Sequence, residues 1–183
     1  VAAPALSAET VAPGESWRDV PRVELHVHLE GSLDAQAVLE LAERNGLRLP
    51  WSTPQEMAPA YRFRDFAGFK RLVLLTARCL RRADDFVFAV ERLGAALAVQ
   101  RVRYAEVTVT PQFYARDAAA MQRWLDVLNE GRRRVRRDRG IELRWIPDIV
   151  RSVPRFAEAV AAWACSDRAR DGGVVALGLG GPE

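Results

Sequence analysis

The two histidines of this 183-residue chain, His26 and His28, stand two positions apart in the stretch Val-Glu-Leu-His-Val-His-Leu-Glu-Gly-Ser, residues 23–32. Neutral imidazole is the commonest side-chain ligand for a catalytic divalent ion. On a β-strand, residues two apart share a face, so a strand here presents both rings side by side. The same alternation predicts a titratable face of Glu24, His26, His28 and Glu30, with Val23, Leu25, Val27 and Leu29 packing outward against helices. Two histidines make only part of a site, because a catalytic zinc takes about three protein ligands and keeps a position open. Glu30 and Asp148 are carboxylates within the chain that are able to add a donor. The alternative is a half-buried, hydrogen-bonded pair without metal. Two glutamates on the same face, and Gly31 directly after them to let the chain turn tightly, favour the metal.

A strand holding such a pair needs neighbours. Four apolar runs read as strands: 22–29, 102–109, 141–149 and 174–180. Helical periodicity fills the intervals. A helix opens at Asp34 and stops at Gly46, two more cover 65–82 and 84–101, a fourth runs from Asp117 to Gly140, and a fifth covers 154–173 with Pro154 in its first turn. The order strand, three helices, strand, helix, strand, helix, strand predicts parallel strands with right-handed crossovers. The fold class is therefore α/β. It is of (β/α)8 TIM-barrel type, with the first four βα units and a helix pair inserted after strand one; a full barrel takes about 250 residues. Residues 1–20, rich in Ala, Pro, Ser and Gly, read as a flexible extension without the basic start and apolar block of a secretory signal. Residues 21–183 read as the N-terminal half of a single barrel domain. At the active end, Asp148 and Arg151 fall on the rim by position, while Glu106 and Thr108 share an inward face as a structural polar layer.

Composition narrows the partners. Hydrophobic residues make up 49% and charged residues 28%, and no apolar run approaches the roughly 18–20 residues of a membrane span. Net charge is +3, and Lys70 is the sole lysine. The run Gly131–Gly140 carries six arginines, but it lies at a helix end, where cations offset the dipole, and no aromatic residue interleaves with it. No nucleic-acid partner is expected. Cys79 and Cys165 read as small buried side chains in a reducing cytoplasm.

A His-X-His strand occurs in many metallohydrolases, phosphoesterases among them, and that reading stays open. Pro-Arg-Val-Glu-Leu-His-Val-His-Leu-Glu-Gly-Ser (21–32) closely resembles the first-strand motif of the adenosine deaminase family. Val-Arg-Tyr-Ala-Glu-Val-Thr-Val-Thr-Pro-Gln (102–112) resembles its second strand, and Gly-Leu-Gly-Gly-Pro-Glu (178–183) its fourth-strand end. The resemblance implies a zinc-dependent barrel that replaces the exocyclic amine of an adenine-containing purine with oxygen, releasing ammonia. It implies His26 and His28 as zinc ligands, Gly181 as a backbone contact to the purine, and Glu30 where the adenosine-specific branch has an aspartate facing the ribose. Phe66 and Phe69, on the helix resembling the family's substrate gate, are apolar contacts to substrate or simply helix core. The family's third metal histidine, proton-shuttle glutamate, second catalytic histidine and metal-binding aspartate belong to later strands. No catalytic residue is therefore placed in this chain, which is expected to be inactive alone. Glu30 for aspartate and Pro182 for a frequent aspartate depart from the adenosine pattern, and adenine and aminodeoxyfutalosine are the other candidate substrates. A further reading is a chain that only binds a partner, or itself, through open strand edges.

Overall fold

The computed structural model describes residues 20–181, so residues 1–19 of the expected N-terminal extension, as well as Pro182 and Glu183, lie outside the described residues. Four parallel strands form one sheet in the order β1 (Arg22–His28), β2 (Val102–Val109), β3 (Glu142–Val150) and β4 (Gly178–Gly180). Seven α-helices connect them: α1 (Ala35–Arg44), α2 (Pro54–Met57), α3 (Phe66–Cys79), α4 (Ala83–Val99), α5 (Ala118–Arg139), α6 (Ala157–Ala164) and α7 (Asp167–Asp171). This is the expected half of a parallel barrel. Among the described residues, no helix is long and apolar enough to cross a membrane.

Local chemistry sets the helix ends. The side chains of Asp34, Asp65 and Asp117 each accept a hydrogen bond from a backbone N–H in the first turn of α1, α3 and α5. α4 is capped in the reverse sense: from its first turn the buried carboxylate of Asp85 accepts from the preceding N–H groups of Arg81 and Arg82 and from Asn45 Nδ2, at 2.8–2.9 Å. That acceptor ties the end of α1 to the junction of α3 and α4. The expected fifth helix is two, because Ser166 leaves the helical path and caps α7 with its hydroxyl. The break also exposes Cys165, correcting the expectation that both cysteines are buried. The short α2 gave no periodic signal; it is held by Met57, wholly buried, and by the Tyr61 hydroxyl, which donates to the Leu33 carbonyl at 2.8 Å.

The helices inserted after strand one divide their work. α4 packs on β2 and α5 as a crossover layer, whereas α3 lies over the turn after β1. Val107 and Val109 of β2 and Leu143 and Trp145 of β3 are buried in the core. Trp145 donates its indole N–H to Asn129 of α5, which donates in turn to the Gly172 carbonyl. Five arginines of α5 pair with carboxylates: Arg132 and Arg136 with Glu142, Arg133 and Arg134 with Glu130, Arg137 with Asp138.

β1 departs from simple alternation. Glu24 is level with Ala105 and Val27 with Val107, so Leu25 and His26 together face the single residue Glu106. This bulge slips the register by one, and a one-residue slip exchanges faces. Glu24 is thus level with the core residue Ala105, while His28 is level with Thr108. The expectation of one unbroken polar face and one helix-covered aliphatic face fails upstream of the bulge. There Val23 and Leu25 are 63% and 57% exposed, and only Val27 and Leu29 join the core.

α4 and α5 cross closely. A Cβ on Gly94 would stand 2.5 Å from Val135 Cγ2, and one on Gly131 would stand 2.7 Å from Val90 Cβ. Gly94→Ala is therefore expected to destabilise the chain: overpacking costs typically 1–3 kcal/mol, against a gain of about 1 kcal/mol in helix propensity. Chemical denaturation should find the loss largely reversed in the Gly94→Ala/Val135→Ala double variant, and simple additivity would contradict this packing.

Candidate functional site

The register that builds the sheet also aligns side chains in rows. His28, Thr108 and Ile146 are mutually level on β1, β2 and β3. Two residues further along each chain come Glu30, Thr110 and Asp148, at the C-terminal ends where barrel chemistry is located. These ends open into a cleft of about 500 Å³. His26, His28, Thr108, Thr110 and Asp148 line its floor, Phe66, Phe69, Lys70 and Val73 of α3 form one wall, and residues 178–181 form the other. Phe66, Phe69, Lys70 and Val73 recur at helical spacing, so a single face of α3 is turned to the cleft. The Phe66 and Phe69 rings pack at 5.8 Å; Phe66 is 54% exposed, which removes the helix-core reading for that residue.

The imidazoles of His26 and His28 have centroids 5.4 Å apart and a tilt of 41°. A tetrahedral ion at Zn–N distances of about 2.0–2.1 Å holds two such rings roughly 5 Å apart, so the pair fits two corners of a zinc site. The His28 pKa is lowered by burial and, secondarily, by His26, which favours the neutral ring a metal needs. Glu24 Oε1 accepts the His26 N–H at 2.9 Å, satisfying the amide at the bulge. Among the described residues, no group of three or more His, Cys, Asp or Glu side chains is placed to hold a metal ion. Glu30 and Asp148 therefore do not complete the set.

Glu30 occupies a different place from the one its sequence position implies. The chain turns into a short 3-10 helix, Glu30–Ser32, and the Glu30 side chain is 2% exposed and absent from the cleft lining. The Tyr114 hydroxyl donates to Glu30 Oε1 at 3.1 Å. Phe86 and Trp124 fix Tyr114 from two sides, with ring centroids 4.7 and 5.4 Å away. Burial, and then the charge of Asp148, push the Glu30 pKa up to about 7, against hydrogen bonds from the backbone and from Tyr114. Asp148 is also raised by burial, opposed by a hydrogen bond from Thr110. Its Oδ1 is buried without a protein partner, a condition that costs about 1–3 kcal/mol.

The rim is built by backbone and amide contacts. Gln112 accepts the Val150 N–H at 2.6 Å and donates to the Val153 carbonyl, bridging the ends of β2 and β3. Arg151 donates from its N–H to the Gly180 carbonyl and from its guanidinium to the Gly181 carbonyl at 3.1 Å. Gly181 has φ +96°, a conformation that disfavours any side chain, and the Arg151 contact directs its carbonyl. Sequence reasoning placed His26, His28, Phe66, Phe69, Gly181, Asp148 and Arg151 in this region, and the fold gathers them around one cleft. It missed Tyr114, Thr110, Gln112 and Phe113. Their signal was positional: all follow the end of β2, where barrel loops carry function.

The family model for adenosine deaminase matches residues 21–183. The aminodeoxyfutalosine deaminase of Acidothermus cellulolyticus is 36% identical over 165 residues, 90% of this chain and 46% of that protein. The adenine deaminase of Rhodospirillum rubrum is 33% identical over 132 residues, 72% of this chain and 40% of that protein. Among solved structures, an amidohydrolase from Burkhoderia ambifaria with bound Zn superposes with a TM-score of 0.71 at 27% identity, covering 90% of this chain and 45% of the other. The chain thus spans about half the length of the relatives it matches. The match begins one residue before β1 and runs through every strand that frames the cleft. By sequence and by fold, the chain belongs to the adenosine deaminase family.

Proposed function

We propose that this chain supplies the N-terminal half of the active site of a zinc-dependent hydrolytic deaminase acting on an adenine-containing purine. The observation that carries the reading is the His26–His28 pair, set at zinc-ligand spacing on the floor of a cleft large enough for a nucleoside. His26 and His28 would hold the ion through neutral ring nitrogens. Such an ion supplies the Lewis acidity that makes water a nucleophile near neutral pH. The remaining ligands and the proton shuttle are assigned to residues outside this chain, and the reading includes no turnover by residues 1–183 alone.

The chain's own residues bind and orient. The exposed face of Phe66 and the Phe69 ring offer an apolar wall for the purine. The Gly181 backbone, directed by Arg151, meets the purine edge. Glu30, bound to Tyr114 beneath the floor, acts on the site through its neighbours. The substrate is adenosine in the first instance. Aminodeoxyfutalosine is a second reading, favoured by the 36% identity to a deaminase of that name. Cytoplasmic location is part of the same proposal.

Zinc titration of the purified chain should show binding that weakens at least tenfold in His26→Ala and in His28→Ala, as loss of one of two donors requires. Equal affinity in all three would remove the metal site. With the complete site present, ammonia release from adenosine, adenine and aminodeoxyfutalosine identifies the substrate, and silence with all three refutes the deaminase. The sheet places β1 and β4 at its edges, with Val23, Leu25 and Leu179 exposed, so the 183-residue chain is expected to self-associate. A monodisperse monomer in light scattering at 50–100 micromolar, about the concentration where open edges pair, would argue against it.

A further inference from the structure

Of the two carboxylates in the upper row, the one that faces the cleft is Asp148, and Glu30 is sealed behind it. Asp148 is 5% exposed, yet it lines the floor. Its Oδ1 has no protein partner. Three neighbours surround the side chain. Thr110, one residue past the end of β2, lines the floor with it. The glycines of β4 press bare backbone against it: a Cβ on Gly180 would stand 2.7 Å from Asp148 Oδ2, and one on Gly178 would stand 3.1 Å from Asp148 Cβ. β4 can lie this close only because both positions lack side chains. The result is a closely packed carboxylate with one buried oxygen that has no protein partner, on a residue that lines a ligand-sized cleft.

Its place in the sheet says which part of a ligand it meets. Asp148 is on β3, two strands across from His28 on β1, which is on the order of 10 Å at ordinary strand spacing. It is also one side-chain repeat further along the strands, about 6.6 Å. A purine whose amine lies at the histidines extends toward Asp148 with whatever its far side carries. A carboxylate there selects a hydrogen-bond donor and disfavours an anion.

We propose that Asp148 is a specificity residue that accepts a hydrogen bond from a sugar hydroxyl, so that the site selects nucleosides over free bases. This rests on the purine reading of the cleft, and it departs from the first-strand position, Glu30, as the sugar contact. Glu30 is a positioning residue beneath it.

The test uses inosine and hypoxanthine, the deaminated forms of adenosine and adenine, which differ only in the sugar and are not consumed. Titration calorimetry is run on the protein with its complete site, as wild type, Asp148→Asn and Gly180→Ala. The second variant displaces the same carboxylate without altering its chemistry. Wild type is expected to prefer inosine by tenfold or more. Both variants should lose most of that preference, through weaker binding of inosine. Each variant's thermal midpoint is measured alongside, and Asp148→Asn should not fall below wild type, because it removes a buried charge. A preference retained in the variants, no preference in wild type, or no binding of either ligand overturns the proposal. Ammonia release separates the two readings. Turnover with an unchanged preference sinks only the role of Asp148, and a sugar preference that needs Asp148 without turnover sinks only the deaminase.

Discussion

Parallel pairing of β1, β2 and β3 in a fixed register is the constraint on which the rest depends. Because neighbouring strands run the same way, residues level with one another repeat in rows at intervals of two. One row places His28 beside Thr108, and just past it Thr110 and Asp148 line the cleft with Glu30 buried nearby. A slip of one residue between β1 and β2 would turn the histidine off the cleft and bring an aliphatic residue in. The helices serve this register from outside. α4 and α5 approach at two glycines, compressing the layer over β2, while Trp145 and Asn129 fix β3 to α5.

Polar groups at the strand ends form a graded series. His26 is exposed at the cleft, His28 half-buried, Asp148 buried with one oxygen unmet, and Glu30 sealed behind Tyr114. Burial favours the neutral forms of His28, Asp148 and Glu30 alike. Two carboxylates within reach of each other, both raised by burial, make this row the least comfortable part of the fold.

Much of this was legible in the chain. The histidine pair declared itself through spacing, and the strands through apolar runs bounded by glycine and aspartate. The capping aspartates 34, 65 and 117 marked helix starts within a residue. What escaped was of two kinds. The bulge in β1 left no signal, because Glu24 and Leu25 continue the alternation that the backbone then breaks. The burial of Glu30 depends on Tyr114, eighty-four positions away, and on the aromatic contacts that hold it. Local pattern identifies which residues are polar; only the packed fold decides which of them meets the cleft.

The bulge carries one more implication. With Leu25 and His26 both set against Glu106, the amide of His26 is taken up by the Glu24 carboxylate of its own strand. The histidine pair is therefore held by a five-residue cassette, Glu-Leu-His-Val-His, in which the first side chain completes the backbone of the third. Moving His-X-His alone onto a regular strand would reproduce the residue types and lose the angle between the rings. The portable unit for engineering this half-site into another scaffold begins at Glu24.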